Sequence, residues 1–281
     1  MSSAEHPAAD GVAVPGRLAA NCSIMFKELP LLERPAAARR AGFRAVEFWW
    51  PFAEAEPAAS EVDAFVAAVR DADVQLIGLN FFAGDMPGGE RGVLSDPARA
   101  EEFRRNVAVV VAIGEALGCR AYNALYGNRV EGASIAEQDE VAIENLGVAA
   151  RAVAAIGGTV LVEPVSGSAG YPLRTAQDVL DVVARARARH DVANIGFLCD
   201  LYHLAVNGDD LDQVIARHGA EIAHVQIADT PGRHEPGTGT MPLQRHLTAL
   251  RAAGYDGWLA LEYVPSTTTE ETLGWLTTVT V

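Results

Sequence analysis

The chain has 281 residues, 49% of them hydrophobic, and a net charge of -15, so it can bury a sizeable core but lacks the basic balance that a nucleic-acid or anionic-membrane partner requires. No apolar run reaches the roughly 18 residues of a membrane-spanning helix. Residues 1–15 carry no Lys or Arg and no long apolar centre, which argues against a signal or transit peptide; they are expected to form a disordered tail ahead of a single domain over 16–281. Cys22, Cys119 and Cys199 are odd in number, far apart and set in apolar stretches, and so read as reduced packing residues of a cytoplasmic protein.

Residues 17–24 (RLAANCSI) predict a first strand, followed by a helix over about 30–41 that ends at Gly42. Residues 45–50 (AVEFWW) predict a second strand, 59–72 a second helix and 74–81 (VQLIGLNF) a third strand, with a glycine-rich loop, AGDMPGGERG, over 83–92. Asp96-Pro97 marks a helix start, Phe103, Val107, Val110, Val111, Gly114 and Leu117 share one helical face, and Gly118 closes it. A fourth strand spans 121–126, Ser134-x-x-Glu137 opens a helix running to about Ile156, and 159–166 (TVLVEPVS) is a fifth strand. Thr175-x-x-Asp178 opens the next helix, 195–200 (IGFLCD) is a sixth strand, and Asp209 and Asp210 begin another helix. Strands over 222–229 (IAHVQIAD) and 258–263 (WLALEY) flank a helix near 242–253, and Thr267-x-x-Glu270 opens a last one. The strands read as apolar runs, as strands covered on both faces do. About eight β–α units in one series predict an α/β fold, a (β/α)8 TIM barrel; an open doubly wound sheet would normally show a Gly-rich phosphate turn after the first strand, and 24–29 (IMFKEL) has none.

The later strands share one design. Each is apolar and ends in an oxygen-bearing side chain: Glu163, Asp200, Gln226 and Glu262. In a barrel these converge on one mouth, where clustered carboxylates need a counter-charge. A divalent cation, Mg2+ or Mn2+, suits four hard oxygen donors, although each acid alone also reads as half of a rim salt bridge. His203, three residues beyond Asp200, is placed to meet a substrate hydroxyl or to sit in a capped turn. His224 shares the facing of Gln226, as a supporting partner or as filling. The loop DTPGRHEPGTG (229–239) offers Arg233 on a flexible frame, either to hold a substrate carboxylate or as a solvated side chain. Asn80 and Glu47 on earlier strands are further substrate contacts, with a rim ion pair as the alternative for Glu47; Trp49 and Trp50 wall a pocket or simply pack.

At these residues the chain resembles the hydroxypyruvate isomerase family of the xylose isomerase-like TIM barrels. The resemblance runs from about Leu18 to Pro265 and rests on AANCSIMF (19–26), GFRAVEFWWPF (42–52), AGDMPGGERG (83–92), LVEPVS (161–166), DLYH (200–203), HVQIAD (224–229), RHEPGTG (233–239) and GYDGWLALEY (254–263). It implies metal ligation by Glu163, Asp200, Gln226 and Glu262, acid–base roles for Glu163 and Glu262, and substrate binding by His203 and Arg233. Sugar 3-epimerases carry histidine where this chain has Gln226, while GSAGYPLRT (167–175) replaces a histidine-bearing loop of related enzymes. The implied reaction interconverts hydroxypyruvate and tartronate semialdehyde in the cytoplasm. The implied partner is a short 2-oxo or hydroxy acid, and self-association stays open. A longer 2-oxo sugar acid such as a 2-oxo-tetronate, a ketose, and a catalytically silent barrel that binds a sugar acid or serves in an assembly are the alternatives. A nuclease is disfavoured by the acidic balance.

Overall fold

The computed structural model describes residues 17–278, so the expected tail over 1–15 lies outside the described residues. The strands are β1 (Leu18–Asn21), β2 (Ala45–Phe48), β3 (Gln75–Asn80), β4 (Ala121–Asn123), β5 (Thr159–Val162), β6 (Ile195–Asp200), β7 (Ile222–Ile227) and β8 (Leu259–Leu261). They close into a barrel in chain order, and β1 pairs in parallel with both β2 and β8. The helices are α1 (Arg34–Arg40), α2 (Ala59–Asp71), α3 (Ala100–Leu117), α4 (Ile135–Ala154), α5 (Ala176–His190), α6 (Leu201–Asn207), α7 (Leu211–His218) and α8 (Leu243–Ala252).

Outward strand residues form the main core against these helices. Phe48 meets Phe65 of α2 edge-on at 5.1 Å between ring centres, and Phe81, just beyond β3, lies 5.3 Å from Phe103 of α3. Local chemistry sets the boundaries. Asp96 accepts from the Ala98 N–H and opens a single 3-10 turn before α3, which Gly118 ends at φ +72°. Ser134 caps α4, and Thr175 with Asp178 forms a reciprocal capping box on α5.

Three expectations change. The paired strands are shorter than their apolar runs, so Glu163 and Glu262 lie one residue past the last strand residue of β5 and β8. A helix the sequence reading passed over, α6, follows β6 directly: Asp200 is its N-cap and accepts from the His203 N–H at 2.9 Å. The last helix is a 3-10 helix over Glu270–Thr277 whose N-cap is Thr269. Thr269 is fully buried and its hydroxyl accepts from the Phe26 N–H at 2.6 Å, which ties the end of the described chain to the first β–α loop.

Candidate active site

The site grows from strand periodicity. Ala19, Ala45 and Ala260 form a small buried cluster with Ile77, and two residues further along the same strands come Asn21, Glu47 and Glu262, which share their facing. The register between β2 and β3 slips after Val46, which sets Gly78 opposite Glu47. Any side chain at Gly78 would begin 3.0 Å from the Glu47 carboxylate.

Buried Glu47 is a hub. Its Oε2 lies 2.8 Å from His224 Nε2, while Oε1 accepts from Asn21 Nδ2 at 2.9 Å and Gln226 Nε2 at 2.8 Å. The same two amides reach Glu262 Oε1, from Asn21 at 2.9 Å and from Gln226 at 3.1 Å, and Trp49 Nε1 joins them at 2.6 Å. Arg233 Nη2 donates to Glu262 Oε2 at 2.5 Å and lies 3.9 Å from Asp200. Glu262 therefore gathers four donors, whereas Glu163, in the same mouth, is met by the Asn123 side chain. Burial raises the Glu163 pKa well above the usual range, reinforced by the charges of Glu262 and Asp200. Burial also pushes Glu262 up, but Arg233 opposes it and the group comes to about 7. Asp200 is likewise raised by burial against the pull of Arg233.

His203, on the first turn of α6, has a defined tautomer. The Ser166 backbone N–H donates to His203 Nδ1 at 3.0 Å, so in a neutral ring the proton sits on Nε2. The ring is neutral because burial, then Arg233, lowers its pKa to about 3. Asp200, His203 and Glu262 lie close enough to surround an ion, but a protonated Nε2 is a donor, not a ligand, so His203 faces the site as a hydrogen-bond donor.

The oxygen set fits a hard cation. Gln226 points both amide protons at carboxylates, and its Oε1 is buried with no hydrogen-bond partner. Such an orphan is costly unless something absent from the protein completes it. Asp200 and Glu262 offer carboxylate oxygens within 4.8 Å of one another, and with Gln226 Oε1 and Glu163 of the same mouth these are oxygen donors of the kind that suits Mg2+ or Mn2+.

The mouth opens into a cavity of about 1180 Å³ lined by Trp49, Trp50, Phe52, Phe82, Met86 and Tyr202 among others. Asn80, Glu163, His203, Arg233 and Glu262 also line it; Glu47, Asp200, Gln226 and His224 are buried and stand outside that lining. Trp49 proves to be a donor to Glu262 as well as a wall. The loop carrying Arg233 is tied rather than flexible. Asp229 accepts from the backbone N–H groups of Thr230, Gly237, Gly239 and Met241, and the Arg233 carbonyl accepts from the Val264 N–H at 2.7 Å. Arg233 itself holds φ +56°, uncommon for a side-chain-bearing residue, and its buried Nε has no partner. Sequence reading passed over Asn21, although it is an oxygen- and nitrogen-bearing residue at a strand end like those it singled out, and Ser166, whose backbone N–H no pattern marks.

Residues 35–279 match the family described as xylose isomerase-like TIM barrel. A Streptomyces coelicolor protein provisionally named a hydroxypyruvate isomerase is 54% identical over 253 residues, covering 89% of this chain and 91% of its own. The 2-oxo-tetronate isomerase of Cupriavidus necator is 36% identical, covering 92% and 97%. A Brucella melitensis crystal structure described as an AP endonuclease, family 2, superposes with a TM-score of 0.83 at 34% identity, covering 93% of this chain and 98% of that one.

Proposed function

From the premise that this chain is an isomerase of the hydroxypyruvate isomerase family, one of the xylose isomerase-like TIM barrels, we propose that it interconverts hydroxypyruvate and tartronate semialdehyde, with Glu163 and Glu262 moving the protons. The supporting observation is one buried mouth that holds two glutamates in unlike surroundings beside the orphaned Gln226 oxygen.

In this reading the substrate lies across the mouth with its two reacting carbons between Glu163 and Glu262. One glutamate takes a proton from the hydroxymethyl carbon, and a proton returns to the neighbouring carbon, while a hydroxyl proton passes between the two oxygens. Atoms and charge balance without any redox partner. Glu262, fixed by Asn21, Trp49, Gln226 and Arg233, is held in one orientation, as a base must be. Glu163, with fewer donors than Glu262 and favouring its protonated form, is suited to carry the proton the other carbon receives. His203 offers Nε2–H to a substrate oxygen that gains negative charge. Glu163, Asp200, Gln226 and Glu262 would hold Mg2+ or Mn2+, which would polarise the carbonyl and ease the build-up of enediolate charge.

A longer acid is the second reading. A three-carbon acid fills little of a cavity of about 1180 Å³, and the Cupriavidus necator relative is named for a 2-oxo-tetronate. An assay of purified protein with hydroxypyruvate, with and without EDTA and with Mg2+ or Mn2+ restored, tests the proposal. Metal-dependent formation of tartronate semialdehyde is the expected result. Turnover only with four-carbon 2-oxo acids favours the second reading, and no turnover with either overturns both.

A further inference from the structure

Every substrate in the proposed reaction is an acid, and its carboxylate needs a cation that the protein itself does not neutralise. Arg233, to which the sequence points for this work, is engaged by Glu262 and Asp200. Arg99, also on the cavity wall, is engaged by Glu90 and Glu102. Arg34 uses Nε and Nη1 on the carbonyls of Leu29 and Cys22, and Lys27 stands exposed at the rim. Arg91 differs from all of these. Its Nη1 donates to the carbonyls of Met86 and Glu90 at 2.9 and 2.6 Å, while among the described residues no carboxylate pairs with it and nothing accepts from its Nε or Nη2. That leaves one edge of the guanidinium, the Nε and Nη2 fork, without a protein acceptor on a residue that lines the cavity. This edge matches the two oxygens of a carboxylate.

The loop holds that head in place. Gly92 N–H bonds the Ala83 carbonyl at 2.9 Å, Glu90 N–H bonds the Asp85 carbonyl at 3.0 Å, and Arg99 fixes the Glu90 carboxylate at 2.7 Å. Gly92 sits at φ +110° with its Cα against Leu125, where a Cβ would lie 2.1 Å from a carbonyl oxygen, so the turn leading out of Arg91 accepts only glycine. Arg91 lines the same cavity as Glu163, His203 and Glu262.

We propose that Arg91 is the substrate-carboxylate receptor of this site, binding the C1 carboxylate of a 2-oxo acid through its Nε and Nη2 edge and thereby selecting sugar acids over neutral ketoses. The inference rests on the isomerase reading for which atoms react. It leaves Arg233 to set the charge of Glu262 and assigns recognition to a different loop.

The test compares hydroxypyruvate with dihydroxyacetone, which keeps the reacting atoms and replaces the carboxylate by a hydroxymethyl group, in Mg2+ buffer. Charge-assisted hydrogen bonds of this kind are worth about tenfold to a hundredfold. Arg91→Gln should lower kcat/KM for hydroxypyruvate by that factor, chiefly through KM, and leave dihydroxyacetone within about twofold. Arg91→Lys, which keeps the charge and loses the fork, should fall between. Equal losses on both substrates would mean that Arg91 only braces its loop, and no loss on either would remove it from recognition; both overturn the proposal. Calorimetric binding of D-glycerate, with glycerol as control, separates this inference from the reaction. If the wild-type protein turns over neither substrate, the isomerase reading fails, yet weaker glycerate binding by Arg91→Gln still supports the receptor. Unchanged glycerate binding, or none by the wild-type protein, overturns it.

Discussion

At the scale of single residues, the site depends on unlike surroundings for like groups. Glu262 accepts four hydrogen bonds while Glu163 is met by Asn123, and in the proposed reaction that difference divides the same carboxyl chemistry between an oriented base and a proton carrier. Glu163→Gln and Glu262→Gln should each lower kcat by about 10²–10⁴-fold while thermal unfolding shows a folded protein. A near wild-type rate in either variant would remove that residue from proton transfer. Glu47 lies outside the cavity lining, yet it accepts from the Gln226 amide and so fixes the side chain whose Oε1 is buried without a partner. Partners of this sort typically contribute 10–100-fold to metal affinity, so Glu47→Gln should weaken Mn2+ binding by roughly that factor in calorimetry. Unchanged affinity would reduce Glu47 to packing. Glu163, Asp200, Gln226 and Glu262 were legible because each ends an apolar strand. Asn21 obeys the same rule on the first strand but is neutral, and a neutral amide raises no question of where its charge goes.

Among elements, the short ones escaped the sequence and matter most to the site. α6 has 7 residues, too few for a helical period to declare itself, and it exists because Asp200 caps it and β6 delivers it. That cap fixes the His203 backbone and so aims its ring at the mouth. The loop over 229–239 read as loose because it is rich in Gly, Thr and Pro, but a single carboxylate organises it. Asp229→Ala would leave the N–H groups of Thr230, Gly237, Gly239 and Met241 without their acceptor. Each buried donor left unmade costs about 1–3 kcal/mol, partly recovered where water enters. The expected outcome is faster hydrogen exchange across the loop and a fall in kcat/KM larger than the fall in thermal stability, since Arg233 loses its frame. Unaltered exchange would show that the loop holds without Asp229.

For the whole molecule, metal and fold should be linked. A cation bound by oxygen donors from β5, β6, β7 and β8 would staple half of the barrel, and any ligand specific for the folded state stabilises it by mass action. Saturating Mn2+ at about 100 times its dissociation constant should add about 2.7 kcal/mol, read as an upward shift of thermal midpoint that EDTA reverses. An unmoved midpoint would argue that the donor set holds no ion. Apolar runs, caps and the βα alternation by themselves determined the barrel, because a strand buried on both faces and a capped amphipathic helix are local consequences of side-chain chemistry. The four oxygen donors at strand ends followed from the same local patterns, and parallel strands in a closed barrel must present those ends together. Only the tertiary structure decided which groups touch: that Arg233 meets Glu262, that Glu47 lies under Gln226, that His203 carries its proton on Nε2, and that Arg91 keeps an edge free. Those contacts join residues up to 179 positions apart, as Glu47 and Gln226 are, and depend on register slips, loop closures and hydrogen-bond directions that no local stretch of sequence contains.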